Sequence, residues 1–265
     1  MRSVLGFLAG ILAFTMSALA VDAGLNEAEI APRESGVQLV RYADEQRPLY
    51  NYRWELVREG NRVTVTGRGD NDKKGPERVE WAETSMMEIA PGGLRTLVWT
   101  KESSGAEQES WRMKYDWAAH KVVYAYRDRA SGKSEEKTLT FGPKAYASDA
   151  MYFFLRGFPF EKGEGAKVEG EFVLTEGKVM SGVVIHRGEE QIKTAFGPLD
   201  AYKLEFKPGG LLGAFAPRMF IWYTKSMPHL FVRFDGKDDG VMKPRTTNEL
   251  VHYSPADRIK PVKPN

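Results

Sequence analysis

The chain contains no cysteine. That absence excludes disulfides, thiol nucleophiles, iron–sulfur clusters and cysteine-ligated zinc. Charge imbalance is also missing. With 38 basic and 36 acidic residues the formal net charge is +2, so no electrostatic footprint for nucleic acid or an acidic membrane follows. Histidine is scarce: His120, His186, His229 and His252 are the only four, and none stands at a metal-binding spacing. There is no G-x-S-x-G elbow and no Gly-rich phosphate loop. These absences point away from an enzyme, a metal or a cofactor. The 36 acidic residues offer too many carboxylate pairs to select one, so an unrecognised hydrolase stays as a second alternative.

Long apolar runs are confined to the N-terminus. Arg2 precedes "VLGFLAGILAFTMSALA", which ends in Ala18-Leu19-Ala20. A positive start, an apolar stretch and small residues at −3 and −1 predict a secretory signal peptide over residues 1–20. An uncleaved anchor is the other reading. Cleavage after residue 20 of the 265-residue chain leaves 245, and a bacterial periplasm is the compartment that fits. Without disulfides, the core must stabilise the exported fold alone.

What remains is rich in strands. Trp111, Met113, Tyr115 and Trp117 alternate with Arg112, Lys114 and Asp116; Tyr52, Trp54 and Leu56 alternate with Arg53 and Glu55. Period-two alternation sets one face against a core and the other in water. About a dozen such runs are joined by short turns such as Gly60-Asn61, 117–121 and Glu176-Gly177. The prediction is an all-β fold: an antiparallel meander forming a curved sheet or open barrel over residues 21–253, with an extended or disordered tail at 254–265. One segment, "SDAMYFFLRG", reads as a short helix. Ser148 is placed to cap it, Ala150, Met151, Phe154 and Leu155 share a stripe, and Gly157 ends it. So short a helix must dock on the sheet to persist. A weaker helix is expected over residues 25–34. The run His186 to Glu190 reads as an exposed turn tip at Gly188.

"RMFIWYTKSMPHLFVRFD", residues 218–235, reads as a hairpin whose first strand is apolar on both faces. Cover is therefore needed on both sides. The helix, or the apolar loop at Leu211, Leu212 and Phe215, is available for the second. Aromatics make up 12% of the chain. They either fill a large core or line an apolar cavity, and both readings stay open. On the second reading the ligand-binding candidates are Trp111, Trp117, Met151, Phe154, Leu155, Phe220 and Trp222. Leu211, Leu212 and Phe215 form a candidate lid or partner loop.

Three stretches together carry a resemblance: residues 146–164, 192–206 and 218–235. In order and spacing they resemble a family of exported bacterial proteins classed as a domain of unknown function. Its pattern corresponds here to Asp149 with Leu155-Arg156, to Thr194, Gly197 and Tyr202-Lys203, and to Ile221-Trp222, Pro228 and Val232-Arg233. Lys225-Ser226 stands where that family has an acidic turn residue, and two extra residues follow Pro228. The resemblance implies a periplasmic β-rich domain. More distantly it resembles the open barrels of lipoprotein carriers, which hold acyl chains under a helical lid. The expected function is thus a non-enzymatic periplasmic protein binding an apolar or lipid-like ligand. The alternative is a structural or interaction protein of the envelope with a filled core and a protein partner.

Overall fold

A computed structural model describes residues 30–43, 48–210, 217–237 and 244–255. Fifteen strands run in chain order: β1 (Arg33–Tyr42), β2 (Pro48–Glu59), β3 (Arg62–Asp70), β4 (Val79–Ala90), β5 (Gly93–Gly105), β6 (Glu109–Asp116), β7 (Lys121–Asp128), β8 (Ser134–Thr140), β9 (Ala145–Ala147), β10 (Lys167–Leu174), β11 (Lys178–Thr194), β12 (Gly197–Pro208), β13 (Met219–Thr224), β14 (Phe231–Gly236) and β15 (Thr246–Pro255). They form one sheet ordered β8-β7-β6-β5-β4-β3-β2-β1-β15-β14-β13-β12-β11-β10-β9. Sequential strands pair antiparallel from β1 to β8 and from β10 to β15, β15 returns to β1 antiparallel, and β9 joins β10 parallel. The meander is curved and unclosed, with β8 and β9 at its two edges.

The curvature rolls one edge inside. On β10, Phe172 belongs to the main buried cluster and its neighbour Val173 to a second cluster built on β5–β7. Successive side chains of a strand face opposite ways, so β10 is covered on both faces. Tyr124 of β7 lies across Gly177 in the β10–β11 turn, where a Cβ would sit 2.8 Å from its ring. Elsewhere the expected alternation is obeyed: Trp54, Leu56, Val63, Val65, Met113 and Tyr115 are buried, while Arg53, Glu55, Arg112 and Lys114 are exposed. Two glycines of β3 have a packing reason. Tyr52 and Trp81 lie across Gly67 and Gly69, and a Cβ at either position would come within 2.0 Å of them.

Two expectations need correction. The turn foreseen at Gly188 is instead a bulge inside the 17-residue strand β11. Gly188 takes φ 90° there, which glycine adopts without strain. His186 is accordingly buried, its ring 5.3 Å from Tyr202 and 5.7 Å from Phe160, rather than exposed. Second, Ser148 does not cap the helix; its hydroxyl accepts the Thr175 N–H at 3.2 Å. The signal segment, the candidate loop 211–216, most of the weak helix at 25–34 and tail residues 256–265 lie outside the described residues. Arg33 and Glu34 open β1, and β15 runs to Pro255, two residues past the expected boundary.

Candidate functional site

The helical segment is a plug set into the concave face. It runs as a 3-10 turn (Ser148–Ala150), one α-helical turn α1 (Met151–Phe154) and a second 3-10 turn (Leu155–Gly157). Phe153, Phe154, Leu155, Arg156 and Gly157 are all buried, so the segment is enclosed rather than amphipathic. Phe154 stacks on Tyr146 at 4.9 Å, Phe153 meets Trp54 edge-on at 5.3 Å, and Tyr152 lies 4.1 Å from Phe231. The Tyr223 hydroxyl donates to the Tyr152 carbonyl at 3.3 Å.

A buried ion pair fixes the far end of the plug. Arg156 Nη1 donates to both carboxylate oxygens of Glu34 on β1, each at 2.9 Å. Glu34 Oε1 also accepts the Ala31 N–H at 2.9 Å. The two side chains are 2% and 0% exposed. Burial pushes the Tyr253 hydroxyl up to about 12, and the Glu34 charge adds to that. A void of about 10 Å³ remains beside the pair, lined by Gln38, Trp54, Phe153, Arg156, Leu250 and Tyr253 among others. That is about the room one water needs.

The near end of the plug is polar. Asp149 accepts the Thr96 hydroxyl, 2.9 Å from Oδ2, and Trp117 Nε1 donates to the Thr96 carbonyl at 2.7 Å. Burial raises the Asp149 carboxyl to about 6; hydrogen bonds from Ser85 and Thr96 oppose the rise and the charge of Glu83 adds to it. Glu83 in turn accepts the Tyr52 hydroxyl. Both carboxylates therefore accept hydroxyls of the surrounding wall, Asp149 from Thr96 and Glu83 from Tyr52. Among the described residues, no group of three or more histidines or carboxylates is placed to hold a metal.

A pH dependence follows. The folded value near 6 lies above the ordinary aspartate value of about 3.9. The folded state therefore binds the proton more tightly, and this site stabilises the fold most below pH about 4. That stability is lost as pH rises through about 6. Asp149→Asn should be more thermostable than the parent at pH 7, and the difference should shrink toward pH 4. Thermal unfolding of both proteins across that range checks it.

The structure splits the seven candidate residues three ways. Phe154 and Leu155 lie in the main core with Met151 packed against it. Trp111 and Trp117 flank the second cluster. Phe220 and Trp222 face the other side of the sheet, with Ile192, Ala201, Leu199 and Val232. The reason is alternation on β13: Ile221 and Tyr223 take the core face, leaving Phe220 and Trp222 the outer one. Cover on that outer face comes from Lys203, 4.7 Å over Phe220 and 5.4 Å over Trp222. Glu190 ties the arrangement, 3.1 Å from Lys203 Nζ and accepting Trp222 Nε1 at 2.6 Å.

A larger opening lies elsewhere. A polar cleft of about 520 Å³ crosses β2–β5, lined by Asn51, Arg53, Arg68, Asp70, Glu80, Ala82, Glu102 and Ser104, with Gly69, Trp81, Ser103 and Arg129. Arg53 neighbours buried Trp54 on its strand, so this row of side chains points away from the core. Sequence reasoning did not find it, because exposed charges on strands are the ordinary solvated face.

A family model for proteins of unknown function, DUF3108, matches residues 45–240. No curated protein matches the sequence. Among solved structures, a β-barrel-like protein of the domain of unknown function DUF1849 from Brucella abortus is similar in fold. Its TM-score is 0.52 at 8% identity, over 86% of this chain and 99% of that one. A Bacteroides fragilis protein with a YmcC-like fold overlaps with TM-score 0.29 at 8% identity, over 83% and 95% of the two chains. A candidate lipoprotein from Parabacteroides distasonis gives 0.30 at 10%, over 83% and 94%. The last two overlaps are too loose to define a shared fold.

Proposed function

The chain belongs to the DUF3108 family of proteins of unknown function, and we propose that it is an exported, non-catalytic recognition protein of the cell envelope whose binding is done at its surface. The observation that carries this is the filled concave face. Among the described residues, aromatic side chains and the plug occupy it, and the void beside Arg156 measures about 10 Å³. An acyl chain needs a hollow of a few hundred Å³. Export is supported by the signal-like pattern of residues 1–20.

Native mass spectrometry of protein gently extracted from cells tests the reading. The expected spectrum shows a chain beginning at Val21 with no bound lipid, and an environment-sensitive apolar dye shows no saturable binding. Stoichiometric lipid on the extracted protein would overturn it.

A further inference from the structure

We propose that the polar cleft over β2–β5 binds a small zwitterion, the class of short peptides with a free carboxylate and a free amine. The inference rests on the reading that recognition is a surface property. It starts from a mismatch in the cross-strand register. Arg53 and Arg68 are direct partners across β2 and β3. Like charges placed opposite each other destabilise a sheet. Among the described residues neither guanidinium has a hydrogen-bond or ionic partner, and both are exposed in the cleft. The other charges of the cleft are differently engaged. Glu80 pairs with Arg78, Asp70 Oδ1 accepts the Asp72 N–H at 2.9 Å, and Arg129 Nη2 donates to the Ser103 carbonyl at 2.9 Å.

Two adjacent guanidiniums without an acid match one ligand group well. A carboxylate can accept parallel N–H donors from each, in the planar geometry that arginine favours. A simple anion does not satisfy the rest of the row. The register runs Arg53–Arg68–Ala82–Glu102 across the four strands. Ala82 removes side-chain bulk between the arginines and Glu102. Glu102 has no partner of its own among the described residues, and it lies two strand spacings from Arg68, about 10 Å. It would repel a dianion and attract an ammonium. A peptide of about three residues, at roughly 3.3–3.6 Å each, spans that separation. The adjacent row runs Asn51–Asp70–Glu80–Ser104 and offers neutral groups for its amides at its two ends. The volume of about 520 Å³ falls in the range of small-molecule sites.

Calorimetric titration of the mature chain with tri-alanine at low salt tests the proposal. The comparison ligands are tri-alanine amide, N-acetyl-tri-alanine and inorganic phosphate. Tri-alanine should bind saturably, and blocking either end should weaken it about tenfold or more. Arg68→Gln should weaken tri-alanine and its N-acetyl form alike. Glu102→Gln should weaken tri-alanine and leave the N-acetyl form unchanged. Both substitutions are on exposed side chains, so the circular dichroism spectrum and melting temperature serve as fold controls. No saturable binding of tri-alanine to folded protein overturns the site. Phosphate binding as tightly as tri-alanine, with no effect of Glu102→Gln, overturns the zwitterion assignment. Bound lipid in the mass spectrum bears on the surface-recognition reading instead, so the two failures are separable.

Discussion

Arg156→Ala is expected to cost about 3–5 kcal/mol of stability, the usual penalty for stranding one partner of a buried ion pair. For a domain of this size that is a melting-temperature drop of roughly 6–20 °C. The cause is the partner left behind. Glu34 is 0% exposed, and without Arg156 its carboxylate keeps the Ala31 N–H and whatever Tyr253 contributes. Arg156 also lies over the Phe153 ring at 5.2 Å, so its loss removes packing as well as charge. Replacing both partners, as in Glu34→Leu with Arg156→Met, should do far less harm and can stabilise, because the desolvation penalty disappears with the charges. Chemical denaturation of the parent, the two single variants and the double variant gives the coupling. If Arg156→Ala costs less than about 1 kcal/mol, the plug is not anchored to β1 as described.

This pair shows where sequence reasoning reached its limit. The helix containing Arg156 was legible from its short apolar pattern and Gly157, and so was the antiparallel meander, because both rest on local periodicity. The pair was not, since Glu34 stands 122 positions away and its segment reads as the end of a weak helix rather than as the opening of β1. The same divide explains the scattered candidate residues. Trp222 and Phe154 are both apolar at regular spacing, but a one-residue change of parity on β13 sends Trp222 to the outer face. Residue type was readable there; facing was fixed by the register of β13 against β12 and β14. The bulge at Gly188 was missed for a related reason. Glycine between charged residues looks like a turn, whereas strand β12 pairs with the chain on both sides of it. The polar cleft needed register information across four strands.

Phe154→Ala separates a solid core from a hollow one. Phe154 is 2% exposed and stacks on Tyr146 with ring planes 12° apart. Removing the ring should cost about 3–5 kcal/mol, from lost transfer free energy plus the cavity left behind. The cavity should stay dry, because apolar walls surround it and water would find too few partners. A small aromatic probe such as toluene should therefore raise the melting temperature of Phe154→Ala and leave the parent unchanged. This asymmetry is the decisive readout, since a lid over a pre-existing apolar pocket predicts the reverse: a small stability loss and a parent that already responds to toluene. The ion pair at Arg156 bears on the same question. It holds the plug at one end while Asp149 and Thr96 hold it at the other, so the collapse that would shrink the new cavity is restrained at both ends. The expected cost accordingly sits toward the upper part of the range.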